Sequence, residues 1–385
     1  VPLVPKTWTT RKSDAEPKFW FRVVLYVILS GTYAQAMDAT LQDQHIALAQ
    51  SDLKNGDWSK SLARFRWLLL EGDPNPQYEI AYQNTIQTIT KENPLRFSLG
   101  AALLPSSNVT NGSSQSGFVT DFGVFQIDSA EDRKSGVGLH VNASAIYTGA
   151  YAPGRSWSLT ASAATNYYDE EELQLGKLGL ALGHAWLSSG QQTRLSYSTD
   201  KIVYRDLEDR NSPDYRAKGL TLSHNRRLTP KTWLGVQARV QDVTYRERDF
   251  NNGRHTSLSL APRYRLTRQT TVSLKAGVQN VDINATHLSY SGESLGLFLD
   301  RNERNGFRWG IGYETYWRDY DTRFPGLQVN RKDQVNDIIL SASHSRVRFK
   351  GMSPTLRCTL REHGSNVALY DYDTVDCAVS LGYQF

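Results

Sequence analysis

Residues 375–385 read Val375-Asp376-Cys377-Ala378-Val379-Ser380-Leu381-Gly382-Tyr383-Gln384-Phe385. Val375, Cys377, Val379, Leu381, Tyr383 and Phe385 share one face; Asp376, Ala378, Ser380, Gly382 and Gln384 share the other. A period of two with one apolar face is a strand half-withdrawn from water. What covers that face, a protein core or lipid, decides which solvent every other residue must satisfy.

Working back to Leu95, fourteen segments repeat this pattern. The spacing predicts strands over 95–104, 136–148, 155–166, 173–187, 191–201, 214–228, 231–246, 254–267, 270–283, 287–300, 306–319, 334–346, 353–363 and 374–385. Each supplies the roughly 9–11 residues that a tilted strand needs to cross a bilayer. Every second connection is short: Gly149 to Gly154, Ser188 to Gly190, Thr229-Pro230, Arg268-Gln269, Asn302 to Asn305 and Gly351-Met352. The alternate connections include long polar stretches at 105–135, 202–213 and 320–333. Short turns alternating with long loops are the pattern of an outer-membrane barrel; a soluble sandwich has no reason to segregate loop length. An even number of strands closes the sheet and leaves no unpaired edge in lipid, about 14 by this reading, with 12 or 16 as the alternatives.

Composition agrees. Hydrophobic residues make up only 39% of the 385, as a barrel permits because every second strand residue faces a wet lumen. The 20 Tyr and 9 Trp suit aromatic girdles at two interfaces. The net charge of +5 is small and no basic tract interleaves with aromatics, so nucleic acid is not implied. The last strand, closed by Tyr383 and Phe385, looks like the signal by which barrel assembly machinery recognises its substrates.

Residues 1–36 read as a secretion signal. Lys6, Arg11, Lys12, Lys18 and Arg22 form a basic leader, Val23 to Leu29 an apolar core, and Ala34-Gln35-Ala36 a small-x-small cleavage site. The sequence opens on Val1; a true start at Met37 would leave it without an export signal. Residues 37–93 differ again, with helical spacing predicted over 40–54, 58–71 and 77–91 and expected in the periplasm. Gly56, Trp58, Ser61, Phe65 and Pro74 resemble the second half of one tetratricopeptide repeat; an ordinary helical hairpin packed on something else fits as well. Cys358 and Cys377 lie on the apolar faces of strands flanking one loop. They read either as a cross-strand disulfide of an oxidising periplasm or as two small lipid-facing residues, and two cysteines alone are too few for a zinc site.

Leu95 to Gly112, "LRFSLGAALLPSSNVTNG", resembles the opening strand of the surface lipoprotein assembly modulators (Slam proteins), with their Pro-x-Ser-Asn-x-x-Asn segment matched by Pro105, Ser107, Asn108 and Asn111. Residues 122–139 fit the next segment, and Gly364-Ser365-Asn366 followed by Leu369 to Asp373 resembles the hairpin before the last strand. The resemblance covers the barrel, about 94–385, with a reduced helical domain. It implies a Gram-negative outer-membrane translocon of the type XI secretion class. The implied cargo is a surface lipoprotein or a secreted haem- or metal-scavenging protein. The implied partners are that cargo, the barrel assembly machinery and outer-membrane lipids. Family members often carry several helical repeats where this chain offers about one.

No enzyme constellation or cofactor motif stands out. The eight histidines are scattered, with no His-Glu-x-x-His pair, Gly-x-Ser-x-Gly elbow or phosphate-cradling glycine loop. A solute porin is the alternative, but it has no need of a helical domain. Pro105 to Asn111 is the segment with most to explain. Asn and Ser suit a plain turn, and a place beside the strand that must pair with the last would also suit a gate or seam.

Overall fold

The computed structural model describes residues 39–72, 76–115, 117–120, 123–126, 133–205, 213–349 and 352–384. The expected signal over 1–36 and the terminal Phe385 lie outside the described residues.

Three helices come first: α1 (Ala39–Lys54), α2 (Trp58–Trp67) and α3 (Pro76–Glu92). A single π turn over Leu68–Gly72 ends α2. Gly56, at φ 78°, turns the chain between α1 and α2, in a conformation that costs a residue with a Cβ more. Ala49, Leu62, Phe65, Leu68, Leu69, Tyr82, Ile86 and Ile89 form one small apolar core, and Leu187 from the barrel completes it.

Strand β1 (Leu95–Ser106) follows directly. A two-stranded hairpin, β2 (Gly117–Thr120) and β3 (Gly123–Gln126), lies in the first long loop. It was not expected from the sequence, because four-residue strands are too short to display a period. The wall continues through β4 (Gly136–Ala152), β5 (Arg155–Tyr167), β6 (Leu175–Ser188), β7 (Gln191–Tyr204), β8 (Tyr215–Thr229) and β9 (Thr232–Tyr245). It ends with β10 (Gly253–Arg265), β11 (Thr270–Ile283), β12 (Tyr290–Asn302), β13 (Phe307–Arg323), β14 (Asn330–His344), β15 (Thr355–Ser365) and β16 (Tyr372–Gln384). Each pairs antiparallel with its chain neighbour, and β1 pairs with both β4 and β16, so fourteen strands close into a barrel.

The apolar faces point outward. Leu99, Leu139, Leu159, Leu180, Leu222, Leu258, Leu297, Leu340 and Val379 are all more than 40% exposed, an arrangement that only lipid makes favourable. Phe97, Tyr147, Trp157, Trp186, Tyr264, Phe307 and Tyr383 sit outward near the short-turn end, as an aromatic girdle should. Two of the connections there, with Gly154 and Gly190 at φ 67° and 65°, are tight hairpins.

One expected connection is corrected. Gly351-Met352 was read as a two-residue turn, but β14 stops at His344 and β15 starts at Thr355. Between them, among the described residues, an isolated bridge joins Phe349 and Met352; Gly351 itself lies outside the described residues. Pro354 cannot donate to a ladder, and the basic run Arg346-Val347-Arg348 leaves the strand early. At the opposite end β13 and β14 run beyond their expected limits, so the loop expected over 320–333 shrinks to 324–329.

Candidate functional site

Three places on the barrel carry unusual construction: the closing seam, the lumen wall and the helix-bearing mouth. The seam is the pairing of β1 with β16. Its register runs from Ser98↔Gln384 to Leu103↔Val379, skips two residues, and resumes at Ser106↔Asp376. The same stretch of β1 pairs without interruption on its other side, through Pro105↔Val137. Pro105 carries no N–H and cannot complete a ladder, which is a local reason for a gap at this point. In register, Pro105 faces Cys377, and Cys377 is disulfide-bonded to its β15 partner Cys358. One side of β16 is therefore held covalently, and the other has missing rungs. A cavity of about 240 Å³ lies behind the gap, lined by Leu104, Ser106, Tyr168, Arg357, Thr359 and Asp376 among others.

The rest of the Pro105–Asn111 segment fastens this seam beyond the gap. The Ser107 backbone N–H donates to the Val375 carbonyl at 3.1 Å, and the Val375 N–H donates to the Ser107 hydroxyl at 2.8 Å. Asn108 is 1% exposed. Its Oδ1 accepts from the Gly112 N–H at 3.0 Å, while its Nδ2 donates to the carbonyls of Gly112 at 3.0 Å and Asp373 at 3.3 Å. Asn111 takes φ 52° and turns the loop, its N–H donating to the Asn108 carbonyl. Asn tolerates this left-handed conformation better than most residues.

Further along the loop, Ser113 and Ser114 hydroxyls donate to backbone carbonyls of Ala368 and Asp371, and Arg133 pairs with Asp373 at 2.9 Å. The first loop thus clasps the last across sequence separations of about 240–270 residues. Sequence reasoning singled out Pro105, Ser107, Asn108 and Asn111 but missed Ser113, Ser114 and Arg133, which belong to no local pattern.

The lumen wall is uneven. From β1 to β6 it offers mostly small residues, such as Ser98, Ala102, Ser144, Ser158, Ser162, Ala181 and Gly183. The β11–β15 wall is ionic. Lys275 Nζ meets Glu314 Oε1 at 2.6 Å, and Arg361 grips Asp337 with two bonds of 2.8 and 2.7 Å. Glu314 and Asp337 are register partners, both buried. Two carboxylates this close are tolerable because each faces a cation. Nearer the loops, Arg331 bonds Asp333 at 2.9 and 2.6 Å, and its guanidinium lies against the rings of Tyr320 and Tyr370.

At the short-turn mouth the helices are tied to the rim. Gln83 Nε2 donates to the Leu187 carbonyl at 2.9 Å, and the Ser189 N–H donates to Glu79 Oε1 at 3.0 Å. The Gly190 N–H donates to the Leu69 carbonyl at 2.9 Å, and Arg227 Nη1 to the Gly72 carbonyl at 2.8 Å. Glu71 pairs with Arg265 at 2.9 Å and Arg263 at 3.3 Å, both arginines lying over the Trp233 ring. Trp58 and Ser59 line a small hollow of about 50 Å³ together with Arg96, Ser98 and Ser144 of the inner wall. The hydrogen bonds and ion pairs fall on β6, the β6–β7 turn, β8 and β10, while β1 and β4 face α2 across the hollow. Among the described residues no such hydrogen bond ties a helix to β12–β16.

Of the helical residues singled out from the sequence, Phe65 is in the helix core, Gly56 is at the turn and Trp58 lines the hollow beside the inner wall. Arg66 shares the barrel-facing side of α2. Burial, with the guanidiniums of Arg96 and Arg194 nearby, lowers its pKa to about 10, so it stays charged at neutral pH. Tyr383 pairs with Leu99 and faces outward.

The arrangement suits transport: a membrane-spanning wall, a polar lumen, one mouth partly covered and a seam with a built-in defect. The sequence profile of the surface lipoprotein assembly modifier family matches residues 96–385. No curated protein matches. Several solved barrels are similar in outline. The P. putida toluene transporter TodX has 10% identity and TM-score 0.43, over 76% of this chain and 90% of that one. A loop L8 deletion mutant of OmpT, an outer membrane protein of Vibrio cholerae, has 8% identity and TM-score 0.40, over 76% and 99%. Salmonella typhi OmpF, in complex with daunomycin, has 11% identity and TM-score 0.40, over 76% and 97%. Likeness at this level says nothing about what passes through the barrel. With all of the barrel but its first residue inside the matched residues, the chain belongs to the surface lipoprotein assembly modifier family and is an outer-membrane transport barrel.

Proposed function

We propose that this barrel exports a protein cargo, a surface lipoprotein or a secreted haem- or metal-scavenging protein, from periplasm to cell surface without chemical catalysis. The observation that carries the proposal is the half-covered mouth. The helices are bonded to β6, the β6–β7 turn, β8 and β10, α3 runs directly into β1, and the β12–β16 arc beside the seam has no such tie among the described residues. A plug would be tied around the whole rim, and an open solute channel needs no helices. A docking platform that leaves a way in fits the half-covered geometry. In this reading the helices face the periplasm and position the cargo. The cargo enters beside the untied β12–β16 arc, and the β1–β16 seam opens at its Pro105 gap to widen the path. No ATP is available outside the inner membrane, so folding of the cargo outside supplies the drive.

The polar lumen is also compatible with a channel for small solutes, and one experiment separates the two. The intact barrel is placed in liposomes with a lipoprotein cargo trapped inside, beside a barrel lacking residues 38–92. Cargo exposure by the intact barrel and its loss in the shortened one support export. Steady ion conductance by both, with no cargo exposed by either, would establish the solute channel instead.

A further inference from the structure

The outward face of β7–β11 departs from the plain apolar belt. A groove of about 480 Å³ runs between outward Leu195, Leu220, Leu222, Val240, Leu258 and Val278. Directly toward the loop end it meets a second hollow of about 660 Å³, which shares Leu220 and Val240 and is lined by Lys201, Arg216 and Lys218, and by Asp242, the register partner of Lys218, whose carboxylate is taken up by Arg254 at 2.7 Å. Lys201 and Arg216 are register partners across β7 and β8, and Lys218 stands one outward position below Arg216.

All three side chains are exposed, and among the described residues none is ion-paired. This sets them apart from the other outward cations near the loop ends of the strands. Arg254 pairs with Asp242 at 2.7 Å and Lys332 with Asp319 at 3.1 Å. A charge on the lipid face is costly at the bilayer midplane and nearly free close to the interface. The three cations therefore mark headgroup height, directly above an acyl-sized trough.

We infer that this face holds a phosphorylated, multiply acylated lipid of the outer leaflet, of the lipid A class, with its acyl chains along Leu195–Val278 and its phosphate on Lys201, Arg216 and Lys218. A guanidinium flanked by two ammonium groups matches a phosphate, with the arginine supplying paired donors and the lysines point charge. A zwitterionic phospholipid would bring one phosphate already balanced by its own cation. A second copy of the barrel would have to bring acidic groups to the same spot. The inference rests on the long loops facing the exterior and not on protein export, so either can fail alone.

The test is native mass spectrometry of the full chain in detergent, titrated with lipid A, with lipid A stripped of its phosphates and with inorganic pyrophosphate. The same series is run on a Lys201→Gln, Arg216→Gln, Lys218→Gln variant whose folding is checked by heat-modifiable gel mobility. Lipid A should bind the wild type and lose about a hundredfold in affinity in the variant, since each basic group near a membrane surface carries roughly a fivefold effect. Equal binding of the dephosphorylated lipid would overturn the inference. So would unchanged binding by the variant, a protein dimer occupying the face, or pyrophosphate binding as tightly as lipid A.

Discussion

Asn108 shows how much one side chain can hold. It is buried, and four hydrogen bonds converge on its amide from Thr110, Gly112 and Asp373. Asn108→Ala leaves the Gly112 N–H without this acceptor, a loss of about 1–3 kcal/mol. Amide exchange over residues 107–115 and 371–375 should then quicken by about ten- to a hundredfold, while exchange in β8–β11 stays as it was. The motif containing Asn108 was legible in the sequence. Its partner was not, because Asp373 lies 265 residues away and only closure of the barrel brings them together.

His45 carries a different prediction. Its ring stacks on Trp67 at 4.1 Å, its Nδ1 is buried without a partner, and burial, with Arg64 nearby, lowers its pKa. The folded helices therefore favour neutral His45. Its contribution is complete above the ordinary histidine pKa near 6.5 and drains away as pH falls below that value. Amide exchange in α1, divided by the intrinsic rate at each pH, should rise between pH 7 and pH 5, and His45→Gln should flatten the change. An equal rise in the variant would assign the effect to another group.

Among the elements, the strands were legible and the contacts between elements were not. Period-two alternation fixed fourteen strands to within a few residues because lipid outside and water inside give every strand opposite demands on its two faces. The Gly351-Met352 connection is longer than its spacing implies because β14 and β15 stop at His344 and Thr355, although Phe349 and Met352 still exchange both backbone hydrogen bonds. The helices were legible from their spacing, but their fastening through Glu71, Gln83 and Glu79 to strand ends was not. Each is an ordinary polar residue on an amphipathic helix.

The seam makes a prediction at this scale. Ala102 and Ser380 are register partners across β1 and β16. An Ala102→Cys, Ser380→Cys pair, oxidised, should close the seam covalently and stop cargo from reaching the surface. A pair at Ala145 and Ala161, partners across β4 and β5, should leave export intact. Unimpaired export with the seam locked would assign passage to the lumen alone.

For the whole molecule, the structure is asymmetric around its axis. Small residues line the wall from β1 to β6, an ion network lines β11–β15, and the helices fasten to one side of one mouth. Composition could not show this, since the small net charge averages over both walls. The family was legible at the two ends of the barrel, where the seam is built; the middle strands match in pattern only.

The most direct measurement is protease shaving of intact cells with and without this chain, followed by mass spectrometry of the surface, the medium and the periplasm. The account predicts that a few specific proteins leave the surface or medium and accumulate in the periplasm when the barrel is absent, and return when it is restored. An unchanged distribution of every protein would contradict export and leave a channel for solutes.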